Sequence, residues 1–186
     1  MDPDLVARAK RGDEQAFASI VEAVSGRFLS VAHRILHDSQ LAEDATQQAL
    51  VKMWRHLPNL RDVGLFEAWS YRLLVRACYS EVKRHRRWRS DLSLRETELS
   101  TSLDGLDSVL IRDHLEQGLR RISIEHRAVL VLRHFLDLPV DQIAEVLDIP
   151  AGTVKSRLHR AREELRGALE ADARPVLVPT RKEARG

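Results

Sequence analysis

The spacing of the apolar residues constrains the fold of this chain more than any other feature of its sequence. Between residues 14 and 36 they recur at intervals of three and four, at Phe17, Ile20, Val21, Val24, Phe28, Val31, Ala32 and Ile35. That interval places side chains on one face of an α-helix. Further segments of helical character follow, and β-branched residues form no long alternating run. The sequence therefore predicts an all-α protein.

Capping and helix-breaking residues divide the first 88 residues into four predicted helices. Asp2, Asp13 and Ser39 each precede an apolar helical segment and suit the N-cap, where a side-chain oxygen accepts a free backbone N–H. Pro58 ends the third helix. A loop over residues 58–64 then leads to a fourth helix, which we expect to run to residue 88.

The composition changes after residue 88. Residues 89–106 are rich in Ser, Thr and acidic side chains, which is typical of an interdomain linker. We expect a first helical domain over residues 1–88, a flexible linker over 89–106 and a second helical domain over 107–170. The tail, residues 171–186, contains two prolines and is expected to be disordered.

The strongest local pattern in the second domain predicts a helix-turn-helix. A short helix over residues 140–147 is followed by Asp148, at a turn that calls for positive φ, and by a second helix capped by Thr153. The apolar stripe of that second helix consists of Val154, Leu158, Ala161 and Leu165, and the side chains on the opposite face are mostly basic. A helix with an apolar back and a basic front fits the DNA major groove. The predicted DNA-reading residues are Thr153, Lys155, Ser156, Arg157, His159 and Arg160.

A solvated basic face on an ordinary bundle helix would give part of the same pattern. The tight turn at Asp148, and the small Ala144 where the two helices would cross, favour the helix-turn-helix instead.

The positive and negative charges nearly cancel, but they are unevenly placed along the chain. The formal net charge is +2, yet basic residues crowd into 83–89 and 155–166, while acidic ones cluster near 43–44 and between 91 and 107. Basic patches on a nearly neutral chain favour local phosphate contact over indiscriminate coating of nucleic acid. No apolar run reaches the length of about 18 residues that a membrane span needs. The single cysteine, Cys78, cannot form an intramolecular disulfide, which fits a cytoplasmic protein.

Enzyme chemistry finds little support in the sequence. His33 and His37 have the spacing of metal ligands on one helix face, but no Glu adjoins them as in the zinc-protease motif, and no third ligand is evident. A Gly-rich phosphate loop and a nucleophile elbow are both missing from the sequence. We therefore expect neither a catalytic activity nor a cofactor.

Two separate segments of the chain resemble the bacterial RNA polymerase sigma factors of the extracytoplasmic-function (ECF) type. Residues 125–135 and the helix-turn-helix ending at 162 resemble the family's region 4, which reads the −35 promoter element and contacts the polymerase flap. Residues 42–55 are similar to the part of region 2 that docks on the clamp helices of the polymerase, and residues 66–73 to the start of the −10-reading helix. The two resemblances stand in the family's order and cover about residues 14–88 and 107–168.

The resemblance implies roles for residues of the first domain. Asp44 and Gln47, with the adjoining acid Glu43, are expected on the polymerase-binding face. The loop at Asn59 and Arg61 corresponds to the place where the family captures an unstacked −10 base. The expected −10 contacts further along the helix are Arg76, Tyr79, Lys83, Arg84, Arg86 and Arg87, and Trp88 is a further candidate for base stacking.

Three positions depart from the family's pattern. Positions 76 and 80 often carry Asn and Asp in the family, and here they are Arg76 and Ser80; Asp148 replaces the commoner turn Gly. The first two departures predict an unusual −10 preference.

The predicted function is promoter recognition together with core RNA polymerase, with promoter DNA as the second partner and an anti-sigma factor as a third. The alternative is a helix-turn-helix repressor or activator that acts without polymerase. Such a protein usually needs dimer symmetry, and the sequence has no heptad pattern or other clear dimer surface. Because the chain is nearly neutral, we expect weak promoter binding without the polymerase.

Overall fold

The computed structural model describes residues 1–92 and 108–172, and within these ranges it contains eight α-helices, two short 3-10 turns and no strand. The prediction of an all-α fold is confirmed. The helices are α1 (Pro3–Lys10), α2 (Glu14–Leu36), α3 (Ser39–His56), α4 (Phe66–Leu92), α5 (Ser108–Arg121), α6 (Ile124–His134), α7 (Val140–Leu147) and α8 (Ala151–Asp172).

Most of the predicted helix starts are present in the structure. The Asp13 carboxylate accepts the N–H of Ala16 at 2.9 Å, and the Asp2 carboxylate accepts that of Asp4 at 2.9 Å. The prediction for α3 was wrong by one residue. Asp38, in an extended conformation, accepts the N–H of Leu41 at 2.8 Å, so Ser39 already lies in the first turn.

Two helix ends also differ from the sequence-based prediction. Helix α4 continues four residues beyond residue 88, since residues 89–92 contain neither Gly nor Pro. Helix α8 begins at Ala151, because the carbonyl of Pro150 already accepts the helical N–H of Val154 at 3.1 Å. Thr153 therefore lies in the first turn of α8 and is not its cap. The remainder of the predicted linker and the tail beyond residue 172 fall outside the described residues.

Helices α2, α3 and α4 pack on one another, and α1 lies against α2. Their core holds fully buried large side chains such as Phe28, Ile35, Met53 and Leu74. Cys78 is also fully buried, and burial raises the pKa of its thiol to about 12, so this thiol is unreactive at neutral pH.

In the C-terminal part, α8 packs against α5, α6 and α7. Gly118 permits the approach of α5 to α8, since a β-carbon there would lie only 2.9 Å from the side chain of Leu169. The two helical groups also touch each other: α7 lies against α4, and α6 against α2.

Candidate nucleic-acid interface

The turn of the helix-turn-helix has the geometry that the sequence predicts. Asp148 adopts the left-handed conformation with φ 58° and ψ 47°, and its N–H donates to the carbonyl of Ala144. The N–H of Ile149 donates to the same carbonyl at 3.1 Å. These bonds end α7 and turn the chain directly into α8.

The two faces of α8 differ as expected. Val154, Leu158 and Ala161 are buried against the neighbouring helices. Five of the six predicted DNA-reading residues are exposed, and Arg157 is half-buried. In the described part of the chain, no carboxylate lies within 4 Å of the charged groups of Lys155 and Arg160. Both cations are therefore available to phosphates or base edges.

The predicted base-capture loop is anchored by two leucines. Leu57 and Leu60 are buried, while Asn59 and Arg61, on either side of Leu60, are exposed. Asp62 stabilises the following turn by accepting the N–H of Gly64 at 2.8 Å. The loop thus holds two polar side chains at the surface on a fixed backbone.

The last turns of α4 form an exposed basic surface. Lys83, Arg84, Arg86 and Arg87 are all exposed, and 63% of Trp88 is accessible. Four cations and an open indole on one helix suit a nucleic-acid backbone with unstacked bases.

Arg76 and Tyr79 lie further up α4, where the C-terminal helices cover it. Arg76 forms an ion pair with Asp148, with 2.9 Å between Nη2 and Oδ2. The hydroxyl of Tyr79 is buried without a hydrogen-bond partner. Burial raises the pKa of Tyr79, and the nearby charge of Arg157 opposes that shift. In this conformation both residues face the C-terminal domain.

Among the predicted polymerase-binding residues, Glu43 and Gln47 are exposed on α3. Asp44 is half-buried and pairs with Arg84 at 2.9 Å. Arg84 therefore joins a residue expected to bind polymerase to the surface expected to bind DNA.

Sequence reasoning missed the buried partner of Arg84. Glu81 is only 1% exposed, forms an ion pair with Arg84 and accepts a hydrogen bond from the side-chain amide of Gln48. The signal available in the sequence was an acidic residue at helical spacing, three and four positions after the apolar residues Cys78 and Ala77.

Several basic side chains lie close together where α2 and α6 pack against each other. His37 ends α2 in the left-handed conformation with φ 51°. Burial, followed by the charges of Arg127 and Arg120, lowers the pKa of His37 to about 4. Burial also lowers the pKa of Arg127, with Arg120 and Arg86 contributing. His37 is therefore neutral at pH 7.

His33 and His37, whose spacing resembles that of metal ligands, gain no further ligand here. Residues 1–92 and 108–172 contain no cluster of three or more His, Cys, Asp or Glu side chains that could hold a metal ion. Over the same ranges, no helix combines the length and the apolarity needed to cross a membrane.

Comparison with protein families gives two matches in this chain. Residues 20–88 match region 2 of the sigma-70 family, and residues 112–165 match its region 4. The first match spans α4 up to Trp88, and the second spans the helix-turn-helix.

Individual relatives match nearly the full length. The RNA polymerase sigma-H factor of Pseudomonas aeruginosa is 33% identical over 181 residues, covering 91% of this chain and 94% of the relative. The ECF RNA polymerase sigma-E factor of Escherichia coli K12 is 31% identical, with 88% and 92% covered. SigW of Bacillus subtilis, an ECF sigma factor, is 27% identical, with 88% and 94% covered.

Two solved structures share the fold. One is CnrH in complex with the cytosolic domain of CnrY, with a TM-score of 0.67 and 22% identity over 92% of this chain and 99% of CnrH. The other is the sigma factor RpoE of Bartonella quintana with the anti-sigma factor NepR, with a TM-score of 0.68 and 22% identity over 84% and 98%.

Proposed function

This chain belongs to the ECF group of bacterial RNA polymerase sigma factors, and we propose that α8 reads its −35 promoter element while α4 and the preceding loop read the −10 element. As a sigma factor it binds core RNA polymerase and directs it to promoters. The observation that carries the assignment of α8 is its exposed basic face directly after the helix-turn-helix turn.

At the −35 element, Arg160 and Lys155 are the side chains suited to reading base edges. Arg and Lys favour the paired acceptors of guanine in the major groove. Thr153, Ser156 and His159 adjoin them on the exposed side of α8, where hydroxyl and imidazole groups can bond phosphate oxygens or bases. Arg157 stands at the edge of this surface, where it is half-buried.

At the −10 element we assign two tasks to two surfaces. Asn59 and Arg61 receive the unstacked base, since flipping a base costs a few kcal/mol that polar contacts must offset. The exposed end of α4 (Lys83, Arg84, Arg86 and Arg87) binds the phosphates of the melted strand, and Trp88 offers a stacking surface. Arg76, which is exposed, and Tyr79, which is half-buried, are the remaining proposed −10 contacts on α4.

The polymerase contact is assigned to the exposed side of α3. Glu43 and Gln47 lie there one helical turn apart, and Asp44 completes the acidic part of the surface. Acidic side chains favour a basic partner surface and speed its encounter with the chain.

Three further assignments follow from the family. We assign the chain to the cytoplasm, where its polymerase works, and give it no catalytic role of its own. An anti-sigma protein is its expected regulator, because the solved RpoE structure with the same fold is bound to one. No observation favours the alternative of a helix-turn-helix repressor or activator that acts without binding polymerase.

The test is in vitro transcription with the purified chain, core polymerase and a promoter library. We expect transcripts that start downstream of one shared pair of −35 and −10 sequences, and none from core alone. An Arg160→Ala variant should change the −35 preference, whereas Arg166→Ala, near the far end of α8, should not. Transcription that does not depend on the added chain would overturn the proposal.

A further inference from the structure

Three basic side chains come together where α2 and α6 meet. His37 caps the end of α2, Arg127 lies on α6, which packs against α2, and Arg120 lies near the end of α5. Burial and then the charges of Arg127 and Arg120 lower the pKa of His37. Burial and then the charge of Arg120 lower the pKa of Arg127 as well. The three groups are therefore close enough for their charges to interact, and we call them the junction cluster.

Two nitrogen atoms of the junction cluster are buried and have no hydrogen-bond partner among the described residues. They are Nε2 of His37 and Nε of Arg127. Buried polar atoms in folded proteins nearly always have a partner. The Nε of an arginine only donates, so it requires an acceptor. His37 is neutral at pH 7 and, with its proton on Nε2, is a donor as well. Both nitrogens are thus suited to the same kind of partner, an oxygen that accepts hydrogen bonds.

The positive charge of the junction cluster is not balanced by a neighbouring acid. Within residues 1–92 and 108–172, neither Arg120 nor Arg127 has a carboxylate within 4 Å. Near Arg127, Arg86 adds a further positive charge and Glu125 a negative one that forms no ion pair with it. Charges that are withdrawn from water are normally paired. The cluster therefore favours an anion.

A cavity beside His37 provides a route for such an anion. Its volume is about 600 Å³, and Leu119 and Leu130 are among its apolar walls. The charged and titratable residues that line it with His37 are mostly basic: His33, Arg34, His134, Arg162 and the acid Glu116. Apolar walls strengthen the attraction between charges, and basic lining residues raise the local concentration of anions.

From this arrangement we propose that His37 and Arg127 bind the phosphate group of a small ligand, with Arg120 supplying further positive charge. A phosphate group carries a charge of about −1.5 to −2 at pH 7, which is close to the charge that two guanidinium groups neutralise. Its several oxygens can accept from both unpartnered nitrogens at once, and the planar fork of arginine donors suits phosphate. The site does not depend on the proposed function.

Burial distinguishes this site from the surfaces that are assigned to promoter DNA. His37 and Arg127 are half-buried, whereas Lys155 and Arg160 of α8 are exposed. A free phosphate ion needs only a rotation of the His37 ring or the Arg127 side chain to reach the two nitrogens. A phosphate held in a nucleic-acid backbone would also have to bring its neighbours between the packed helices α2 and α6. The ligand is therefore a small molecule or ion and not DNA or RNA.

Nuclear magnetic resonance of the histidine rings measures this binding in the full chain. Inorganic phosphate replaces chloride at pH 7 and constant ionic strength, and the ring signal of His37 is identified by its loss in His37→Asn. We expect a saturable shift of this signal, because phosphate accepts a hydrogen bond from Nε2. The ring signal of His56, which is exposed at the end of α3, should show no such shift. A single-stranded oligonucleotide should leave the His37 signal unchanged, and a shift equal to that caused by phosphate would overturn the proposal of a small ligand.

The deciding comparison is Arg127→Gln against Arg133→Gln. Both arginines are half-buried on α6, but Arg133 donates to the carbonyl of Leu138 at 3.0 Å. Phosphate affinity should fall roughly ten- to hundred-fold for Arg127→Gln and stay unchanged for Arg133→Gln. Arg120→Gln, at an exposed position that leaves the core undisturbed, should lower the affinity by about two- to five-fold. The absence of a saturable shift, or equal affinities of Arg127→Gln and Arg133→Gln, would overturn the site. Because this comparison involves neither polymerase nor promoter, either result would leave the proposed function intact.

Discussion

Replacing Arg84 by Ala would remove the cation that stands beside a buried carboxylate. Glu81 is 1% exposed, and its described polar partners are Arg84 and the amide of Gln48. Breaking a fully buried pair costs about 3–5 kcal/mol, while exposed pairs contribute about 0.2–1 kcal/mol. Because the Arg84 side chain is 60% exposed, water screens it, and we expect a loss of about 1–2 kcal/mol in the free energy of unfolding.

Tryptophan fluorescence during a urea titration can measure this loss in the N-terminal domain alone. All three tryptophans, Trp54, Trp69 and Trp88, lie in that domain, so the signal does not mix the two unfolding transitions. The urea midpoint should fall without a change in slope. Arg87→Ala, an exposed cation on the same helix without an ion pair in the described residues, should leave the midpoint in place.

The double variant Arg84→Ala with Glu81→Gln tests the cause. A neutral amide at position 81 needs no cation, so the double variant should recover part of the loss. Equal midpoints for Arg84→Ala and Arg87→Ala, or a double variant less stable than Arg84→Ala, would show that the Arg84–Glu81 pair does not stabilise the domain.

Three further predictions concern the other parts of the molecule. Arg160→Ala should weaken binding of the polymerase complex to its preferred −35 sequence by about 1–3 kcal/mol and relax the preference at one base pair; a uniform loss over all sequences in a competition assay would instead mark a phosphate contact. His37 is held neutral in the folded state because its pKa is lowered to about 4. Its contribution to the free energy of unfolding, about 1–2 kcal/mol for the partly exposed ring, is therefore fully present above pH 6.5 and is lost as the pH falls towards 4. His37→Asn should flatten this dependence of the urea midpoint and His33→Asn should not; equal pH profiles would contradict the assignment. Ile143→Ala, at a fully buried position of α7, should destabilise the C-terminal domain by about 2–5 kcal/mol, and an unchanged thermal transition by circular dichroism would contradict that packing.

Local chemistry explains why much of the fold could be predicted. The predicted apolar stripe identified the buried side of α8, because helical spacing and burial are linked directly: Val154, Leu158 and Ala161 are buried, and Leu165 is half-buried. Asp148 was correctly expected in a left-handed turn, since few other residues accept that conformation. Both predictions depend only on neighbours in the sequence.

Predictions failed where two groups compete or where partners are distant in the sequence. Asp38 and Ser39 are both good caps, and the choice between them depends on backbone angles that the sequence does not reveal. Nothing near Glu81 in the sequence indicates its polar partner Gln48, because that residue comes from α3, 33 positions away. Arg76 and Asp148 were recognised as departures, but their pairing requires the packing of α7 on α4.

Promoter recognition by this chain as part of a larger enzyme can be tested by the affinity of the purified chain for a labelled promoter fragment, measured with and without core polymerase at the same salt concentration. We expect tight, sequence-specific binding only when core is present, since the formal net charge of the chain alone is only +2. Equal affinity in the two conditions, or no association of the chain with core, would contradict the account.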